Sequence, residues 1–146
     1  MNWVEKYVRI PYVDGAPSFE GCNCWGLVHL VLKTEAGVET PEFSQISAEQ
    51  IRAISKKVGN SVLSPPWQLQ IDPGEEQMFD VILFKSLVKR KALDLHTGIV
   101  TSSGMCLHTE ESFGCVHVPF RNSPYGKCHP FLFNRISYIF RHEQLT

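Results

Sequence analysis

One cysteine of the chain occupies a position that suits a nucleophile. Cys24 follows Asn23 where a loop turns into a helix, and apolar residues then recur at helical spacing as far as Gly37, a helix stop signal. A thiol in the first turn of a helix lies near the positive end of the helix dipole and near unpaired backbone N–H groups, which both favour the thiolate. The alternative is a packing role, since unpaired cysteine is among the most buried residue types.

Two histidines supply the groups that such a thiol would need. His96 and His108 lie on either side of a predicted turn centred near Ser102. We expect them to face each other on neighbouring strands, on one face of a sheet, with their Cβ atoms about 5 Å apart. One imidazole then accepts the thiol proton, and the other holds the first in its tautomer and orientation. The helix that begins at Cys24 need only pack on that face to complete a Cys–His–polar arrangement.

The elements that must position these residues change along the chain from helices to strands. A short helix precedes the Cys24 helix, and the capping-box pattern that begins at Ser47 predicts a further helix over 47–58. Trp67 follows Pro65-Pro66 and is assigned to a loop. Apolar runs rich in β-branched residues predict five strands: 79–84, 96–100, 105–109, 114–119 and 135–141. This order predicts an α+β domain with N-terminal helices packed on an antiparallel sheet of about five strands.

Composition narrows the class of protein. With 146 residues the chain fits one domain, 1–146, and its net charge of -1 without a basic stripe argues against a nucleic-acid partner. No apolar run reaches membrane-spanning length, and the first residues lack the pattern of a secretory signal, so synthesis in a cytosol is expected. The five cysteines are odd in number, which favours reduced thiols over a disulfide framework.

Four segments in order resemble the motifs of the NlpC/P60 family of papain-like cysteine peptidases. Residues 23–28, Asn-Cys-Trp-Gly-Leu-Val, resemble the family's Asp-Cys-Ser-Gly-Phe/Leu-Val nucleophile motif. Residues 79–84 resemble its Gly-Asp-Leu-Val-Phe-Phe strand, and 96–100 its His-Val-Gly-Ile-Tyr strand. Residues 105–108 resemble the following strand, and Pro11-Tyr12 resembles the family's Pro-Tyr pair. The resemblance runs from about Tyr12 to His108.

The resemblance implies a papain-like NlpC/P60 fold and a division of roles. Cys24 would be the nucleophile, His96 the base, and His108 the group that orients His96, while the Tyr12 hydroxyl would lie beside the nucleophile. The implied reaction is hydrolysis of an amide bond in bacterial peptidoglycan stem peptides, typically between D-glutamate and a diamino acid. Neither a metal nor a cofactor is implied.

Two residues depart from the family's pattern. Asn23 and Trp25 stand where the family usually has Asp and Ser, and in the family those two positions help to hold the substrate. Because uncharged Asn23 cannot pair with an ammonium group as a carboxylate would, these departures concern substrate choice rather than the Cys–His chemistry.

The variant motif points to a subtype within the family. The segment Cys-Trp-Gly-Leu-Val, followed by Gly-Val-Glu-Thr-Pro at 37–41, is most similar to short members encoded in phage tail modules. The resemblance implies a virion component that is made in the host cytoplasm, associates with tail-tip proteins and acts in the host cell envelope.

Three other interpretations remain open at the level of sequence. Alternating Cys and His residues, such as Cys106 and His108, are typical of metal ligands, although the Cys-x-x-Cys spacing of common zinc sites is absent. The domain would otherwise be a non-catalytic module that binds cell wall or serves tail assembly. A related Cys–His amidase or acyltransferase with another substrate is the third interpretation.

Overall fold

The computed structural model describes residues 2–13, 17–39, 67–85, 95–110, 113–122, 127 and 136–145. The helix predicted over 47–58 lies outside these residues. A 3₁₀ helix, Trp3–Lys6, comes first and takes the place of the predicted short helix, and another, Glu143–Leu145, comes last. Between them, the described residues form one α-helix, α1 (Cys24–Ala36), and eight strands: β1 (Pro17–Ser18), β2 (Gly21–Cys22), β3 (Trp67–Gln70), β4 (Val81–Lys85), β5 (Leu95–Ser102), β6 (Met105–Glu110), β7 (Gly114–Pro119) and β8 (Ile136–His142).

The bounds of α1 follow from its capping residues, as the sequence predicts. The Asn23 side chain accepts a hydrogen bond of 2.7 Å from the Gly26 N–H, so the helix begins at Cys24. Gly37 adopts the left-handed conformation with φ 65°, and the Val38 N–H then donates to the Leu32 carbonyl at 2.9 Å. Glycine ends many helices in this way because it lacks a Cβ.

The main sheet is antiparallel and has the strand order β3-β8-β4-β5-β6-β7. The five predicted strands are confirmed as β4 to β8, within about two residues at each end. The assignment of Trp67 to a loop is wrong, because Trp67 begins β3 and pairs with His142 of β8. The described residues therefore form a six-stranded main sheet, one strand more than the sequence predicts.

The two faces of the sheet carry separate apolar clusters. The first joins α1 to alternate strand residues, among them Leu83, Ile99 and Leu107. The second lies on the other face and includes Ile82, Phe84 and Val100. Because successive strand residues point to opposite faces, these two sets show which positions of β4, β5 and β6 lie beneath α1 and which do not.

A short N-terminal segment, residues 9–13, connects the start of α1 to the edge of the main sheet. On one side, Arg9 N–H donates to the Cys115 carbonyl at 2.9 Å, and Cys115 N–H donates to the Ile10 carbonyl at 3.0 Å. On the other side, Cys22 N–H donates to the Pro11 carbonyl at 3.0 Å, and Val13 N–H to the Cys22 carbonyl at 3.2 Å. The segment thus hydrogen-bonds both to β7 and to β2, which leads directly into α1.

We predict that Gly114 is required for this connection. Its φ is 72°, and a Cβ added there would lie 2.7 Å from the Ile10 carbonyl oxygen, so alanine must both strain its own backbone and displace residues 9–13. Gly37 is a matched control, since its φ of 65° is similar but no atom lies within 4 Å of the added Cβ. We expect Gly37→Ala to lower the free energy of unfolding by about 1 kcal/mol and Gly114→Ala by at least about 2 kcal/mol, measured by urea denaturation. Equal losses in the two variants would contradict the role given to Gly114.

Candidate active site

Cys24 differs from the other described cysteines in its exposure. Cys22, Cys106 and Cys115 are buried, whereas Cys24 is partly exposed in the first turn of α1. A reactive cysteine must meet solvent or substrate, and a helix N-terminus favours its thiolate. Among the described cysteines, Cys24 alone combines a helix N-terminus with partial exposure, and it also packs against the cluster beneath α1.

A chain of close neighbours leads from Cys24 to one end of the main sheet. Burial, and then the charge of Cys24, raise the pKa of Cys22 to about 11. Burial, and then the charge of Cys22, raise the pKa of Cys115 to about 12. Cys115 pairs with Thr109 of β6, and Thr109 directly follows His108. Because residues 9–13 hydrogen-bond to both Cys115 and Cys22, the start of α1 lies towards the end of β6 and β7 that carries Thr109 and Cys115.

The predicted register of the histidines is wrong. His108 lies opposite Gly98 in the β5–β6 ladder, and position 96 is two residues further along β5. The hairpin turns at Ser103 and Gly104, so the centre of the β5–β6 pairing is one residue later than predicted. Moving the centre by one residue changes the partner of each strand residue by two positions, so His108 pairs with Gly98 instead of His96. A register shift between Val100 and Ser102 keeps positions 96 and 108 on one face. They are diagonal neighbours, for which about 7–8 Å is typical.

The expected packing of α1 on the histidine face is also wrong for the body of the helix. Thr97 and Ile99 are buried in β5, and Ile99 belongs to the cluster beneath α1. His108 lies instead on the other face, where its ring is 6.2 Å from that of Phe84 between centroids. The arrangement must therefore be completed at the end of the strands, where α1 begins, rather than beneath the helix.

Gly98 makes room for the groups on the histidine face. A Cβ at this position would lie 3.2 Å from the Phe84 ring and 3.4 Å from the His108 Cβ. It would also lie 3.0 Å from the Leu107 carbonyl oxygen. The sequence showed the glycine between His96 and Val100 but not this close packing, which depends on the register of three strands.

Three further predicted site residues lie around Cys24. Tyr12 is half-buried and forms a parallel backbone bridge with Cys22, which puts its backbone beside the entry to α1. Asn23 is confirmed as the helix cap, and this use occupies its side-chain oxygen. Trp25 lies in the first turn of α1, but its side chain and that of His96 lie outside the described part of the structure.

Phe79 and Asp80, which align with the Gly-Asp pair of the family's strand motif, have structural roles at the start of β4. Asp80 is fully buried and accepts two hydrogen bonds from the Arg141 guanidinium, at 2.8 and 2.9 Å, and one from the Gln77 N–H at 2.8 Å. Phe79 has φ 75°, a conformation that favours glycine, and its ring packs at 5.5 Å from that of Trp3. Asp80 is therefore an anchor of β4 to β8 and has a structural role.

Solved structures with a similar fold include members of the NlpC/P60 family. NlpC1 from Trichomonas vaginalis matches 97% of this chain and 42% of its own with a TM-score of 0.63 and 18% identity. The NlpC/P60 domain of the peptidoglycan hydrolase SagA matches 94% of this chain and 91% of its own with a TM-score of 0.56 and 14% identity. The chain has the NlpC/P60 fold. The α+β, papain-like architecture that the sequence motifs imply is thereby confirmed.

A curated relative adds a sequence likeness to the NlpC/P60 fold. The γ-DL-glutamyl hydrolase of Bacillus subtilis (strain 168) is 32% identical over 109 residues, which are 74% of this chain. The match spans 22% of that relative's length, so most of the relative has no counterpart here. No model of a protein family matches the sequence.

The described residues offer neither a metal-binding cluster nor a membrane-spanning helix. No set of three or more His, Cys, Asp or Glu side chains there is arranged to hold a metal ion. Among the same residues, no helix has the length and apolar character needed to cross a membrane.

We predict that the described thiols differ sharply in reactivity. With pKa values of about 11 and 12, Cys22 and Cys115 are almost entirely protonated at pH 8, and both are buried. Iodoacetamide should therefore label Cys24 first in the native protein, and should label Cys22, Cys106 and Cys115 only after unfolding in urea. Peptide mass spectrometry of a labelling time course measures this order. Labelling of Cys22 as fast as that of Cys24 would contradict the site.

A second prediction concerns the helix cap. Asn23→Ala removes the acceptor for the Gly26 N–H, which should lower the free energy of unfolding by about 1 kcal/mol. Asn23→Asp keeps an acceptor oxygen and should keep the stability of the parent chain. Urea denaturation of both variants makes the comparison, and an Ala variant as stable as the Asp variant would show that this hydrogen bond has no net effect.

Proposed function

We propose that this chain is a cysteine peptidase of the NlpC/P60 type that hydrolyses an amide bond in the peptide part of bacterial peptidoglycan. One observation carries the proposal: the partly exposed thiol at the start of α1 lies towards the end of the sheet where β6 presents His108. A thiol at a helix N-terminus near imidazoles is suited to attack a carbonyl carbon.

In the proposed reaction, His96 takes the proton of the Cys24 thiol, and the thiolate attacks the amide carbonyl. The Cys24 backbone N–H at the helix start and the Tyr12 hydroxyl would stabilise the negative oxygen of the tetrahedral intermediate. His96 then gives its proton to the departing amine, which leaves a thioester on Cys24. Water hydrolyses the thioester and restores the thiol, while His108 holds His96 in orientation throughout. No metal or cofactor takes part.

The named relatives support the substrate class. SagA is described as a peptidoglycan hydrolase, and the Bacillus subtilis relative as a γ-DL-glutamyl hydrolase. A peptidoglycan stem peptide contains a glutamyl amide, so we propose the bond between D-glutamate and the diamino acid as the one cleaved. Asn23 and Trp25 would contact the peptide next to this bond.

The finer biological role is a separate proposal. The likeness of residues 24–28 and 37–41 to phage tail-module proteins supports a virion protein that meets tail-tip partners and reaches peptidoglycan in the host envelope. Mass spectrometry of purified particles tests this role. Detection of the chain in the particles supports it, and detection in the host lysate alone contradicts it.

We predict that Cys24→Ala releases no fragments from purified peptidoglycan. His96→Ala should lower the rate by about 10²- to 10⁴-fold because it removes the acid–base group, and His108→Ala should lower it less because it removes an orienting group. Mass spectrometry of the soluble products, at matched protein concentrations, measures all three, and circular dichroism checks that each variant is folded.

The products also separate the alternatives. Hydrolysis of an amide yields a new amine and a new carboxylate, whereas acyl transfer would attach the acyl group to another acceptor. Binding to peptidoglycan without any product would identify a non-catalytic module. Fragment release by Cys24→Ala would exclude the proposed nucleophile, and a larger loss in His108→Ala than in His96→Ala would reverse their roles.

A further inference from the structure

An exposed aromatic residue covers the buried imidazole of the candidate site. Phe113 precedes β7 and is 52% exposed, whereas His108 is 5% exposed. The two rings meet edge to face, at 86° and with centroids 6.2 Å apart. Such geometry is favourable for aromatic pairs because the positive edge of one ring meets the negative face of the other.

His108 therefore contacts two aromatic rings of different character. Phe84 is fully buried in the cluster on this face of the sheet, and its ring lies 6.2 Å from that of His108 at 49°. Phe113, which is exposed and directly precedes β7, contacts the same imidazole. Gly98 leaves the space that Phe84 and His108 fill. The imidazole therefore contacts one buried ring, Phe84, and one exposed ring, Phe113.

The position of Phe113 is fixed by the contact that also fixes the start of α1. A Cβ added to Gly114, the next residue, would lie 2.7 Å from the Ile10 carbonyl oxygen. Cys115 exchanges two backbone hydrogen bonds with residues 9 and 10. The same segment bonds to Cys22 ahead of α1. Phe113 thus stands at the junction of the N-terminal segment and the histidine face, although its side chain adds little to the core.

We infer that Phe113 is a positioning residue of the proposed reaction, which holds the His108 ring and keeps water from it so that His108 can orient His96. This inference rests on the proposed function. The edge-to-face contact between the Phe113 and His108 rings favours one orientation of the imidazole, which is the basis for this role.

The test is a double-mutant cycle of Phe113 and His108, with kcat and KM measured on a purified peptidoglycan stem peptide. Phe113→Ala should lower kcat roughly 3- to 10-fold with KM within twofold, because the reacting groups lose orientation rather than substrate contact. Phe113→Tyr keeps the ring and should keep kcat. In a His108→Ala background, Phe113→Ala should cause no further loss, since the group that it positions is gone. Phe19→Ala is the control, because Phe19 is 46% exposed and contacts Tyr7 rather than His108.

The outcomes distinguish this inference from the proposed function. The inference is overturned if Phe113→Ala leaves kcat unchanged, raises KM alone, or lowers kcat equally with and without His108. Loss of activity in Phe113→Tyr as large as that in Phe113→Ala also overturns it. If instead Cys24→Ala retains activity or His108→Ala loses none, the proposed function itself is contradicted. These two variants are measured with Phe113 unchanged, so that failure is seen independently of the inference about Phe113. Urea denaturation of each variant accounts for changes in folding.

Discussion

The candidate site depends on the backbone pairing of residues 9–13. Four hydrogen bonds of 2.9 to 3.2 Å join this segment to Cys115 of β7 on one side and to Cys22 on the other. They bring Tyr12 beside Cys22, set the start of α1 towards the sheet end that carries His108, and fix the strand that follows Phe113. Gly114 allows the approach, because any larger residue would meet the Ile10 carbonyl. The position of the helix start relative to β7 is thus set by these backbone contacts as well as by the core under α1.

The sequence correctly predicted the features that depend on residues close together in the chain. The caps Asn23 and Gly37 gave both ends of α1, and apolar runs gave β4 to β8. The sequence failed where distant contacts decide. Trp67 looked like a loop residue after two prolines, but pairing with β8 makes it part of a strand. The register of the β5–β6 hairpin depends on a bulge near Thr101 and a turn at Ser103 and Gly104, which spacing alone does not reveal. Phe113 carries no motif, and only its contact with His108 identifies it.

Similarity in structure establishes the fold of this chain, whereas similarity in sequence covers only part of one relative. Neighbours at 14–18% identity establish the NlpC/P60 fold, and the relative at 32% identity matches over 22% of its length. The proposal for the reaction therefore rests on this chain's own residues: a partly exposed Cys24 at a helix N-terminus, buried neighbouring thiols with raised pKa values, and an imidazole between an inner and an outer phenylalanine. In the proposal, Asn23 and Trp25 bear on which peptide is bound, which is a separate question from the reaction at Cys24.

The most direct measurement of the central claim is capture of the acyl intermediate. The protein would be mixed with purified stem peptide, quenched in acid within the first turnovers, digested and examined by mass spectrometry. The account predicts a peptide containing Cys24 whose mass is increased by the acyl half of the substrate, and its absence from Cys24→Ala. Cleavage products that form without any adduct on Cys24, or an adduct on another residue, would contradict the account.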